Sequence, residues 1–133
     1  MDLKDAYHKV ARRSMESADT LLNRGIQESS AFYSYHAFES IGGALCESRG
    51  MRYHPLSHHN KINQFKLVAG RCGVGTGVAK VALIVASVRN GCLYPNQASG
   101  GAFETPDQHI TVHAAGDMLR RVKGICRVVE RVL

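Results

Sequence analysis

Apolar residues recur at helical spacing along almost the whole chain, and this periodicity limits the available folds more than any other feature. Over 3–23, Leu3, Tyr7, Val10, Ala11, Ser14, Ala18, Leu21 and Leu22 share one helix face, and Gly25 stops the helix. Over 28–48, Phe32, Tyr35, Phe38, Ile41, Ala44 and Leu45 face inward, and Gly50 closes the segment. Gly42 and Gly43 lie inside that second helix, where each glycine costs about 1 kcal/mol relative to alanine, so a neighbouring helix is expected to approach closely there. Pro55 disfavours helix at His54, Ser57 reads as an N-cap, and a third helix runs to Arg71 through Ile62, Phe65 and Ala69. Gly73–Gly77 reads as a flexible turn, followed by an almost wholly apolar helix over 78–89. Because that fourth helix is apolar nearly all round, it is expected at the centre. After a polar loop over 95–105, a fifth helix starts at Thr105 or Asp107, with Pro106 in its first turn, and continues to the C-terminus. Its inward residues are Ile110, Ala114, Met118, Val122, Ile125, Val129 and Val132.

No strand-like alternation and no internal repeat appear. The pattern predicts an all-α fold, a compact antiparallel bundle of about five helices. With 133 residues, of which 44% are hydrophobic, the chain has enough apolar material for one core, and a single domain over 1–133 is expected. No segment approaches the roughly 20 apolar residues of a membrane span. The polar start Met1-Asp2-Leu3-Lys4-Asp5 does not read as a secretory signal. Cys46, Cys72, Cys92 and Cys126 form no close pair, which predicts reduced thiols and a cytoplasmic location rather than a zinc ribbon or a disulfide framework.

The formal net charge of +6, with seven histidines counted neutral, favours an acidic partner, RNA or DNA before an anionic membrane. Arg120, Arg121, Lys123, Arg127 and Arg131 crowd the last helix. Arg120, Arg127 and Arg131 fall close to one stripe, which is either a solvated face or a track for an RNA backbone. Among the histidines, His109 and His113 lie four apart on one predicted face, and His54, His58 and His59 cluster at the start of helix three. Neither set has the Cys or carboxylate spacing of a metal site. His58 or His59 at a helix N-terminus is well placed to meet a phosphate. His36 and Glu39, three apart, are read either as a polar contact or as a proton-transfer pair. Gly73–Gly77 lacks the lysine placement of a nucleotide-binding loop, since Lys80 falls too late.

The sharpest chemical signal is Arg89-Asn90-Gly91-Cys92-Leu93-Tyr94-Pro95, directly after the apolar helix. A guanidinium keeps its charge at neutral pH and offers five donors in a planar fork. At the end of a core helix it must find a partner. Arg89 therefore caps carbonyls, pairs with Glu39 or Asp117, or holds a phosphate together with Asn90, with Tyr94 alongside.

Three segments together resemble the HEPN-domain family (higher eukaryotes and prokaryotes nucleotide-binding). They are Ala31-Phe32-Tyr33-Ser34-Tyr35-His36-Ala37-Phe38-Glu39-Ser40, His59-Asn60-Lys61-Ile62-Asn63-Gln64-Phe65 and Val88-Arg89-Asn90-Gly91-Cys92-Leu93-Tyr94-Pro95. The resemblance spans nearly the whole chain. It implies a compact helical bundle that forms a homodimer through helix four and the loop after it. It also implies a metal-independent ribonuclease of toxin–antitoxin or defence systems, needing no cofactor, or else a non-catalytic module that binds a nucleotidyltransferase or antitoxin partner. In the family signature an Arg, often followed by a polar residue, precedes a His by four to six residues. Arg89 and Asn90 take the first two positions, and Tyr94 stands where the histidine belongs. With an ordinary pKa of about 10 against about 6.5, a tyrosine can protonate a leaving oxygen but is a poor base at neutral pH. Either a histidine from elsewhere, such as His113 or His58, enters the cleft, or the domain binds without cutting.

Overall fold

Asp2 opens the first helix, α1 (Leu3–Asn23), by accepting the Asp5 backbone N–H at 2.8 Å. The computed structural model describes residues Met1–Leu133. The buried residues of α1 are all small, namely Ala11, Ser14 and Ala18, so α2 (Gln27–Ser48) can lie close against it. The pair is antiparallel: Tyr7 sits over Gly43, and Ser30 donates to the Ala18 carbonyl at 2.8 Å. The two interior glycines of α2 do what their cost implies. A Cβ on Gly43 would lie 2.8 Å from the Tyr7 ring of α1, and one on Gly42 would lie 2.5 Å from Phe65 on the opposite side.

Helix α3 (His58–Arg71) starts at the expected cap, where Ser57 accepts from the Asn60 N–H. It advances in the same sense as α2: His58 lies beside Tyr35 and Glu39, and seven residues later Phe65 meets Phe38 and Gly42. The connecting loop permits this because it doubles back along α2 and buries Tyr53, whose hydroxyl donates to the Glu39 carbonyl at 2.6 Å. α4 (Gly75–Val88) begins inside the predicted glycine turn, with Gly75 tight against the Gly70 backbone.

Three expectations are corrected. The central helix is α2, which buries residues on every side from Ser30 to Cys46. Its small side chains admit neighbours all round. α4 buries only Val78, Val81, Ala82 and Val85 and leaves Leu83 75% exposed, so its apolarity does not place it at the centre. Second, a hairpin of two-residue strands, β1 (Asn96–Gln97) and β2 (Phe103–Glu104), interrupts the predicted loop. Gly100 and Gly101 turn its tip with φ of 79° and 80°. Third, the C-terminal helix is split into α5 (Pro106–His109) and α6 (Val112–Glu130), giving six α-helices. Extended Ile110 drops into the core, and Thr111 caps α6 by accepting from the Ala114 N–H at 3.0 Å. α6 returns antiparallel along α1, joined by Lys123 to Asp19 at 2.7 Å and His8 to Glu130 at 3.6 Å.

The result is an all-α bundle around one cluster of 25 buried residues, with contributions from every α-helix except the short α5. All four cysteines are free. Burial pushes the thiols of Cys46 and Cys126 up to about 12 and that of Cys92 to about 11. No helix is long and apolar enough to cross a membrane.

Candidate functional site

Arg89 ends α4, and its guanidinium carbon stands 5.6 Å from the centre of the Tyr35 ring on α2. One terminal nitrogen donates to the Asn90 side-chain oxygen at 3.2 Å. The Nε–H is buried and has no hydrogen-bond partner. Neither expected carboxylate reaches this Arg. Asp117 is held by Arg120 and by Arg121, the latter at 2.8 Å, and these contacts keep its carboxyl below the usual range. Glu39 is engaged on its other side. Arg89 therefore makes no ion pair.

Glu39 is the buried hub of the site, with a side chain only 8% exposed. It accepts from the Tyr35 hydroxyl in a short bond, meets His58 Nδ1 at 2.8 Å and lies 3.6 Å from Lys61 Nζ. Three donors offset the desolvation that an isolated buried carboxylate would suffer. Burial and then the bond to Glu39 push the Tyr35 hydroxyl well above the usual tyrosine range, so Tyr35 acts here as a donor only. An ionised carboxylate can only accept, so the hydrogen of His58 sits on Nδ1 and the open nitrogen is Nε2.

Between these groups lies a cavity of about 200 Å³, lined by Tyr35, His58, His59, Ile62, Ala86 and Arg89. It unites Arg89 with His58, two residues that sequence reasoning named separately. Asn90 stands behind it, bonded to Arg89. Tyr94 is 60% exposed and is not part of the wall. His113, on the exposed first turn of α6, is not part of it either. The break at Ile110 also separates His109 from His113, and His109 turns instead to Glu104 at 3.5 Å. On α6, Arg127 and Arg131 are exposed without ion pairs, whereas Arg120 is partly neutralised by Asp117. That stripe lies on a helix that contributes nothing to the cavity.

Sequence reasoning missed Glu39 as the partner of His58, as well as Tyr35, Lys61 and a place for His59 in the wall. The available signal was the pair of histidines at the α3 cap. What it lacked was the direction of α3, which carries residue 58 to residue 39. The proposed contact between His36 and Glu39 does not form. His36 stacks on Phe32 with ring centres 6.3 Å apart. Burial lowers its pKa. The unfolded chain then binds a proton that folded His36 resists, so this contribution to stability is present above about pH 6.5 and is lost as pH falls toward the depressed native value. Urea midpoints between pH 7 and pH 5 are expected to fall more for the wild type than for His36→Gln.

Comparison with protein-family models, curated proteins and solved structures finds no match for this chain.

Proposed function

We propose that this chain is a HEPN-like, metal-independent endoribonuclease acting in the cytoplasm as a toxin or defence effector, with Arg89 as its phosphate-binding group. A guanidinium with no carboxylate partner shares a cavity with an imidazole fixed by a buried glutamate, and this juxtaposition carries the reading. The RNA 2′-hydroxyl attacks the adjacent phosphorus. Arg89 stabilises the charge that develops on the phosphate oxygens, and Asn90 holds the guanidinium in place. His58 Nε2 receives the hydroxyl proton, taking the role that Tyr94 fills poorly. Exposed Arg127 and Arg131, with Arg120, extend the electrostatic footprint for the RNA backbone, and the +6 net charge agrees with this. Leu83 on α4, 75% exposed, supplies an apolar face for the homodimer.

A second reading rests on a different observation. Tyr94 and Phe103, 60% and 70% exposed, flank the loop after α4 and suit docking of a protein such as a nucleotidyltransferase or antitoxin. This reading describes a non-catalytic module.

Purified protein incubated with total RNA in EDTA separates the two. Cleavage is expected for the wild type, for Tyr94→Phe and for His113→Ala, and is expected to fall about 10²–10⁴-fold for His58→Ala. Full activity in His58→Ala would remove the proposed role of that histidine. Clean wild-type protein that cuts nothing and carries a tightly bound partner would favour the module.

A further inference from the structure

The cavity beside Arg89 contains a second histidine that the scheme above leaves unused. His59 follows His58 in the first turn of α3, and both line the same wall with Arg89. The volume, about 200 Å³, matches roughly seven water molecules, room for a phosphate and the edge of its ribose. All these groups belong to one chain. We propose, resting on the ribonuclease reading, that His58 and His59 are the two proton-transfer residues of a site complete within a single protomer, with no residue supplied by a second copy.

The contacts distinguish the two roles. Glu39 fixes the hydrogen of His58 on Nδ1 and leaves Nε2 with a lone pair toward the cavity, the requirement for a base. His59 has an amide partner instead. Its Nε2 lies 3.1 Å from the Asn63 side-chain nitrogen. An amide can turn over and offer either its NH₂ group to a neutral ring or its oxygen to a protonated one. Asn63 thus accommodates His59 with or without the extra proton, while Nδ1 remains available to the cavity. An acid that must give and regain a proton needs such a neighbour.

The step balances within the chain and the RNA. The 2′-oxygen forms a bond to phosphorus and passes its proton to His58 Nε2. The bond between phosphorus and the 5′-oxygen breaks, and that oxygen takes a proton from protonated His59. The products are a 2′,3′-cyclic phosphate and a 5′-hydroxyl end. Arg89 carries the negative charge on the non-bridging oxygens throughout. The charged or titratable groups around the two rings are Tyr35, His36 and Glu39 from α2, Lys61 from α3 and Arg89 after α4.

The experiment has two arms, each read by single-turnover cleavage of a short RNA in EDTA, with circular dichroism confirming folding. In the first, His59→Ala is expected to lose about 10²–10⁴-fold, as His58→Ala does, and the two-limbed pH profile of the wild type is expected to lose one limb in each variant. In the second, Arg89→Ala and His58→Ala chains are co-expressed with different tags and the doubly tagged species is purified. A site within one protomer predicts no recovery, because neither chain holds both residues. A site shared between protomers predicts recovery to about half of wild type, since one of the two symmetric sites is whole. Failure to obtain any doubly tagged species, with an active wild type, also supports a site within one chain. Recovery, or a fully active His59→Ala protein, overturns the inference and leaves the ribonuclease reading standing. An inactive wild type overturns both.

Discussion

Arg89→Ala is expected to lower RNA cleavage about 10²–10³-fold with almost no change in stability, and this combination distinguishes the variant from a folding defect. Removing one group aimed at developing charge has that magnitude in other active sites. The stability half follows from its surroundings. Arg89 makes no ion pair, and its Nε–H is buried without a partner, so truncation removes an unsatisfied donor rather than a satisfied one. What is lost is the contact with the Tyr35 ring and one bond to Asn90. Arg89→Lys keeps the charge but not the planar fork, and should fall between the wild type and Arg89→Ala. Single-turnover rates and urea midpoints on the same preparations read both effects. A variant that unfolds easily would mean that Arg89 supports the fold; one that cuts normally would mean that the phosphate lies elsewhere.

Phe65→Ala is expected to destabilise the protein by about 3–5 kcal/mol, a large share of the roughly 5–15 kcal/mol that holds a small domain together. Phe65 is fully buried, with its ring 4.9 Å from that of Phe38 and pressed onto the backbone of α2 at Gly42. Little can collapse into the vacated space, because the opposite wall is helix backbone. Gly42→Ala alone should also destabilise, since its methyl would lie 2.5 Å from that ring. In the Phe65→Ala background the same methyl enters the vacated space, so its cost should shrink or reverse. A urea double-mutant cycle measures this coupling. Additive effects would contradict the close contact between α2 and α3 that brings His58 to Glu39.

The helices were legible in the sequence because each signal for them is local. The 3.6-residue period, Ser57 as a cap and Gly25 and Gly50 as stops depend on neighbours in sequence, and α1 and α3 fall where those signals place them. The cost of Gly42 and Gly43 correctly implied close approach, without saying that two different helices would use them. The break at Ile110 was hidden because Ile110 fits the apolar period of the predicted helix while serving the core from extended backbone. The hairpin was hidden because its strands are too short to show alternation. Half of the candidate site was visible. Arg89, Asn90 and His58 carry their chemistry openly, but the pairing of Glu39 with His58 depends on which way α3 runs, and no local pattern encodes that. Burial of Tyr53 helps to set that direction, and a tyrosine in a loop gives no sign of it.

The central claim is that the free guanidinium of Arg89 receives the RNA phosphate. The most direct test follows the side-chain Nε–H resonance of Arg89 by NMR during titration with a 2′-deoxy-substituted oligonucleotide that cannot be cleaved. The account predicts that this resonance and the ring signals of His58 move together and saturate at one concentration, well before those of Arg127 and Arg131. An Arg89 signal that stays fixed while the oligonucleotide binds and shifts only the α6 arginines would contradict it.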